Sequence, residues 1–242
     1  MITSPNDPTV YGYPHFPDTQ AAVLLVDKPT GLSSFSVIRR LRRILGVRKI
    51  GHAGTLDPLA TGMLICLVGK ATKRMESFMG MDKVYTGVIR LGQTTASYDA
   101  ETPVEVEVDA GAVTEEQLEA ARRHFLGRQE QLPPMYSAVK VGGERLYRKA
   151  RRGEEVQRKP RAIEISRFTL GARVGNDLPF EVACTKGTYI RTLAHDFGAL
   201  LGVGGHLTAL RRTAIGPYTV DAAWTLEALA EAAEARSEEP AP

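Results

Sequence analysis

Apolar residues along the chain fall into short runs separated by turn-forming residues. Ala21–Val26 is an unbroken apolar run ending at Asp27-Lys28-Pro29, which predicts a buried strand leading into a turn. Val37, Ile38, Leu41, Ile44 and Leu45 share one helical face, with Ser33 or Ser34 placed to cap the helix. Arg39, Arg40, Arg42 and Arg43 fall largely off that stripe. Met63–Val68 reads as a buried strand, Ala71–Met79 as a helix, Val84–Leu91 as strand-rich, and Phe180–Cys184 alternates. Thr114 with Gln117 forms a capping box ahead of Leu118, Ala121 and Phe125. Ile190, Leu193, Ala194, Phe197, Leu200 and Leu201 form a second helical stripe, stopped at Gly202. Residues 226–239 read as an Ala/Glu-rich helix, and the four prolines within 1–20 predict an irregular N-terminal extension. There is no internal repeat and no steady βαβ rhythm. The expected class is therefore α+β, a mixed, largely antiparallel sheet with flanking helices.

Composition narrows the function. The longest apolar runs are too short to span a bilayer, and no basic-then-apolar leader opens the 242 residues, so a cytoplasmic protein is expected. Two cysteines, Cys66 and Cys184, exclude a disulfide scaffold, and the five histidines show no metal-ligand spacing. The net charge is only +3, but residues 140–173 carry eleven basic and four acidic side chains. Arg39–Lys49 adds six positive charges and no negative one. Two such blocks on an otherwise slightly acidic chain suit a polyanionic partner better than a merely solvated face.

Several motifs fail. Gly69-Lys70-Ala71 lacks the earlier glycine and the hydroxyl residue of a phosphate-binding loop. Gly51-His52-Ala53-Gly54 matches a short RNA-clamping glycine loop only weakly, and no Gly-x-Ser-x-Gly elbow is present. What remains is Gly51–Gly62, which holds three glycines and Asp57-Pro58. By itself Asp57 reads as a turn or cap residue as readily as a catalytic one.

The wider pattern adds to this. Lys28-Pro-x-Gly31, Gly51-His-x-Gly-Thr-Leu-Asp-Pro-x-Ala-x-Gly62, Lys70-Ala-Thr-Lys73 and Lys83-x-Tyr85 follow one another in order. Leu91-Gly-Gln-x-Thr-x-Ser-x-Asp99, Gln131-x-Pro-Pro-x-Tyr-Ser-Ala138, Lys186-Gly-Thr-Tyr-Ile-Arg191 and Leu210-Arg-Arg212 complete the series. Together they resemble the TruB family of tRNA pseudouridine synthases across about residues 21–226. The resemblance implies a pseudouridine synthase fold and isomerisation of the uridine at position 55 in the T loop of tRNA. It implies no metal and no cofactor, tRNA through its T arm as the partner, no membrane, and no obligate protein partner. A monomer is expected.

The resemblance also assigns roles. Asp57 is the catalytic aspartate and Arg191 the arginine that pairs with it, although a helix-start arginine is otherwise an ordinary surface charge. Tyr85 stacks on the flipped base and assists catalysis, where the plain reading is a core aromatic. His52 fills the gap the base leaves. Tyr189 and Leu210 line the uracil pocket, and Leu210 reads equally as core. Lys28, on the turn after the first strand, supports the site and is counted with the RNA contacts. About 124–160 corresponds to a basic insertion that clasps the RNA. Residues 1–20 have no counterpart, and 227–242 form a short tail too small for the PUA domain that commonly follows. Asp99 is followed by Ala100-Glu101-Thr102 where a glycine is usual. Two other readings stand beside this one: a tRNA-binding and folding protein without isomerisation, and a base-excising glycosidase.

Overall fold

The computed structural model describes residues 7–238. Of these, 7–85 and 211–238 form one compact unit and 86–210 another. The chain leaves the first unit within the strand Lys83–Leu91 and returns within the strand Gly205–Ile215.

The first unit is organised on the strand Thr61–Val68. Val23–Lys28 pairs antiparallel along it, from Val23 opposite Leu67 to Lys28 opposite Gly62. Its other edge is shared between Ile50–His52, antiparallel, and the Arg211-Arg212 end of the long strand, parallel. One face packs Leu24, Val26, Leu64 and Cys66 against Val37, Ile38, Leu41 and Leu45 of the helix Ser34–Leu45, with Trp224 and Leu229. The other packs Val23, Leu25, Ile65 and Leu67 against Phe78, Ile215 and Tyr218. Burial on both faces explains why these two strands read as continuous apolar runs rather than alternating ones. Ser33 caps the helix Ser34–Leu45 through the Ser36 amide, and Gly46 closes it in a left-handed conformation.

Two local expectations shift. The stretch expected as one helix from Ala71 begins as a 3₁₀ helix, Gly69–Arg74, and only Met75–Met79 is α-helical. The Thr72 hydroxyl donates to the Gly69 carbonyl at 2.8 Å, the local competition that disfavours a regular α turn. Within the N-terminal extension, Val10–Tyr11 pairs in parallel with Val23 and Leu24, and Asp7 forms an ion pair with Arg74.

In the second unit Arg161–Leu170 is flanked antiparallel by Asp177–Cys184 and by Gly127–Gln131. Phe168 joins Phe180 and Phe197, and Phe197 meets Phe125, with ring centroids 5.8–6.0 Å apart. These rings seat the helices Glu115–His124 and Ile190–Leu200. The first of these begins with the expected Thr114/Gln117 capping box, both of its hydrogen bonds formed. The parallel pairs are Val10–Tyr11 with Val23–Lys28, and Thr61–Val68 with Gly205–Ile215; the other pairings described here are antiparallel. The molecule is α+β, with a largely antiparallel sheet and flanking helices. No helix among the described residues is long and apolar enough to cross a membrane.

Candidate active site

In the first unit the loop Gly51–Gly62 is anchored at many points, and Asp57 is at its centre. The Ser34 hydroxyl, buried at the start of the helix Ser34–Leu45, donates to the Leu56 carbonyl at 3.0 Å and accepts from the Leu56 amide at 2.8 Å. Gly31 donates its amide to the Pro58 carbonyl at 2.8 Å, and the Thr30 hydroxyl reaches the Leu59 carbonyl at 3.2 Å. The Ala60 amide closes a turn on the Asp57 carbonyl at 3.1 Å. Asp57 is thus a turn residue whose half-buried side chain is carried on a backbone tied from both sides.

Lys28 is the last residue of its strand rather than part of the following turn, and it is fully buried. Its ammonium donates to the carbonyls of Pro29, Leu32 and Pro58 at 2.9, 2.7 and 3.4 Å. Burial pushes its pKa down to about 8, the Asp57 carboxylate opposes this, and the Arg212 guanidinium reinforces it. The ammonium therefore stitches the Lys28–Leu32 segment to the Asp57 loop and stands within electrostatic range of the carboxylate.

His52 ends the strand Ile50–His52. Burial lowers its pKa below the ordinary 6.5, a hydrogen bond with the Gly54 backbone opposes this, and Arg212 adds a smaller lowering, so the ring is neutral at pH 7. Tyr85 is 8% exposed on the strand Lys83–Leu91, with the Arg212 guanidinium 6.0 Å from its ring centre. Lys83, two residues before it, is buried and donates to the carbonyls of Met79 and Met81. Gly62 has φ of +99°, and a Cβ there would lie 2.2 Å from the Arg212 carbonyl oxygen. Only glycine lets the loop return this close to the neighbouring strand.

In the second unit Arg191 opens the helix Ile190–Leu200 and is 5% exposed, so it is not a surface charge. Its guanidinium donates to the Ser97 carbonyl at 2.9 Å and the Tyr136 carbonyl at 2.7 Å, and its Nε is 3.6 Å from the Asp99 carboxylate. Asp99 is 1% exposed. It accepts from the Ser97 hydroxyl at 2.5 Å and the Glu101 amide at 3.0 Å. These bonds, with Thr102 accepting from the Ser97 amide, close the loop where a glycine was expected. Tyr189 is held through its backbone: Gln131 accepts from its amide at 2.7 Å and donates to its carbonyl at 3.0 Å. Tyr189 and Leu210 are half-buried.

The first unit thus brings together Lys28, His52, Asp57 and Tyr85, and the second places Arg191 two residues after Tyr189. The sequence reading passed over Ser34, Asp99 and Arg212. All three are buried polar residues; Ser34 and Arg212 hydrogen-bond to residues far along the chain, and Asp99 takes its counter-charge from distant Arg191. Asp99 and Arg212 stood inside quoted motifs, which was the one signal that could have singled them out.

The basic stretch also resolves. It runs through a hairpin of Lys140–Val141 and Glu144–Arg145, the helix Leu146–Ala150, and the buried-faced strand Arg161–Leu170. Arg152 is bound to Glu144 and Glu154, and Arg167 to Glu181. Arg173 is bound to the carbonyls of Ala110, Val113 and Gly175. Lys140, Arg145 and Arg148 line a surface cavity of about 500 Å³ with Gly143 and Glu144. Arg148 and Arg145 also hydrogen-bond the half-buried Tyr147 phenol, which holds its pKa below the usual 10.

A half-buried carboxylate on an anchored loop and a buried tyrosine ring in one unit, with a basic hairpin in the other, suit an enzyme with a polyanionic substrate. The family model for TruB family pseudouridylate synthases (N-terminal domain) matches residues 42–190, and that for the tRNA pseudouridylate synthase B C-terminal domain matches 191–241. A curated "tRNA pseudouridine synthase B" of Opitutus terrae is 50% identical over 207 residues, 86% of each chain. One of Arthrobacter sp. is 49% identical over 220 residues, 88% of this chain and 72% of the relative. The chain belongs to the TruB family of pseudouridylate synthases. Among solved structures it is similar to a Cbf5–Nop10–Gar1 complex, at 30% identity and a TM-score of 0.72. That match covers 91% of this chain and 56% of the solved one, so the chain spans just over half of that protein's length. An H/ACA RNP bound to a substrate RNA containing 2′-deoxyuridine is matched at 26% identity and a TM-score of 0.67, over 96% of this chain and 61% of that one.

Proposed function

We propose that this chain isomerises the uridine at position 55 in the T loop of tRNA to pseudouridine, acting on a base turned out of the loop. The observation that carries this is the Asp57 loop, tied down by Ser34, Lys28 and Gly31 beside the buried ring of Tyr85. A positioned, partly desolvated carboxylate is the nucleophile or base such chemistry needs. Asp57 takes that role, and Arg191 serves the same reaction. Tyr85 supplies the stacking face for the turned-out base. His52, neutral at pH 7, fills the vacated place in the RNA stack without a charge to desolvate. Tyr189 and Leu210 line the uracil pocket, and Lys28 acts as the site's internal support. The segment of about 124–160 clasps the T arm. The products distinguish this reading from its rivals. A T-arm stem-loop RNA is incubated with the protein, digested, and its nucleosides separated chromatographically. Pseudouridine supports isomerisation, unchanged uridine with intact binding supports a folding protein, and free uracil supports a glycosidase.

Two expectations follow. Tyr85→Leu keeps an apolar side chain at a nearly buried position but removes the aromatic face, worth about 1–3 kcal/mol of base stacking. Turnover of the stem-loop by this variant is expected to fall at least about tenfold. A near-normal rate would return Tyr85 to the core. The second concerns affinity. RNA binding is expected to weaken steeply with salt, and replacing Lys140, Arg145 and Arg148 together by alanine should lower the log–log slope by about 2–3. An unchanged slope in a filter-binding titration would place the phosphates elsewhere, with the exposed Arg39, Arg40 and Arg43 face as the next surface to vary.

A further inference from the structure

Arg212 is 1% exposed and ranks among the largest fully buried side chains of the molecule. Burying a guanidinium is costly unless its hydrogen bonds are met and its position is needed. Here the group spans the loop that carries Asp57. Nε donates to the Met63 carbonyl at 2.7 Å, just after the loop, and Nη2 to the Gly54 carbonyl at 3.3 Å, near its start. The backbone of Arg212 pairs with Gly62, where no side chain would fit. The guanidinium carbon lies 6.0 Å from the centre of the Tyr85 ring. One planar group therefore touches both ends of the carboxylate-bearing loop and faces the aromatic ring.

We propose that Arg212 is a positioning residue for the isomerisation, clamping the two ends of the Asp57 loop and fixing that loop relative to Tyr85. This rests on the isomerase reading for its catalytic consequence, while the clamp itself does not. A lysine at this position would keep the charge but could not hold two carbonyls in one plane. A methionine would fill the space and hold neither. The charge has its own signature, because the pKa values of Lys28 and His52 are both lowered by Arg212 after the larger effect of burial.

The test compares wild type, Arg212→Lys and Arg212→Met on the T-arm stem-loop RNA, with single-turnover rates, RNA affinity, amide exchange over Gly54–Gly62 and an NMR titration of His52. Loose placement of a reacting group by about 1 Å can cost about 10²-fold. The expected result is a rate loss near 10²-fold for Arg212→Met and near tenfold for Arg212→Lys, with affinity within about threefold of wild type. Loop amides should exchange faster in both, and the His52 pKa should rise in Arg212→Met but not in Arg212→Lys. Wild-type rates and loop exchange in either folded variant would overturn the proposal. If Arg212→Met does not fold, Arg212→Lys decides by the same criteria, and failure of both to fold would make Arg212 a core residue and end the proposal. If wild type itself forms no pseudouridine, the functional reading has failed. The exchange and titration arms then still decide whether the clamp exists.

Discussion

Asp57→Asn is expected to lower pseudouridine formation by at least about 10³-fold while leaving affinity for the T-arm RNA within about threefold. The substitution keeps the size and shape of the side chain and removes its charge. The turn survives, because its bond from the Ala60 amide uses the Asp57 backbone carbonyl. The anchors from Ser34, Gly31 and Thr30 all fall on neighbouring backbone groups. The loop should therefore stay in place, and the melting temperature should move by no more than a few degrees. One electrostatic change accompanies it. The Asp57 carboxylate opposes the burial that lowers the Lys28 pKa to about 8, so that value should fall further in the variant. Nucleoside analysis beside a binding titration checks both parts. An unfolded Asp57→Asn protein would make Asp57 a structural turn residue, and retained turnover would remove it from the chemistry.

The second large effect is expected at Arg191, and it falls on stability as well as on rate. Arg191→Met removes the only basic group among the described residues that pairs with the Asp99 carboxylate, and Asp99 is 1% exposed. Breaking a buried ion pair from one side typically costs about 3–5 kcal/mol, because the remaining charge is stranded. The carbonyls of Ser97 and Tyr136 lose their donor as well. Turnover should fall to background in the same variant. Adding Asp99→Asn removes the stranded charge, so the double variant should regain a large part of the lost stability but none of the turnover. Urea unfolding of the single and double variants, run beside the stem-loop assay, separates the two effects. A single variant that unfolds within about 1 kcal/mol of wild type would show that the pair is not a buried charge pair in solution.

Local signals in the sequence read through correctly. The Thr114/Gln117 box needs only residues three apart, and both of its bonds form. The apolar stripe of Val37, Ile38, Leu41 and Leu45 predicts its own buried face. The strand Arg161–Leu170 was hidden inside a run of charge. Its buried residues Ile163 and Ile165 keep a two-residue period, but a bulge before Arg167 puts the next buried side chain at Phe168. One inserted residue breaks the alternation that marks a strand. The 3₁₀ opening at Gly69 was missed for a similar reason, since a single hydroxyl bond decides it.

The sequence by itself determined the elements with local periodicity, the family, and the ordered blocks that hold Asp57, Tyr85 and Arg191. Spacing along the chain carries that information, because caps, stripes and motifs are relations between near neighbours. Only the tertiary structure decided which charges face water and which are enclosed. Lys28, Asp99, Arg191 and Arg212 look like any other polar residues in a list. Folding buries all four; Arg191 and Arg212 owe their hydrogen bonds to residues more than 20 positions away, and Lys28 adds one such bond, to Pro58, to two local ones. Asp99 instead bonds to its own loop and takes its counter-charge from Arg191. The same holds for the basic stretch, where Glu144 claims Arg152, Glu181 on the neighbouring strand claims Arg167, and Lys140, Arg145 and Arg148 are left around an open cavity. A charge pattern predicts a polyanion partner, but the desolvation and pairing that select the contacting residues are properties of packed neighbours.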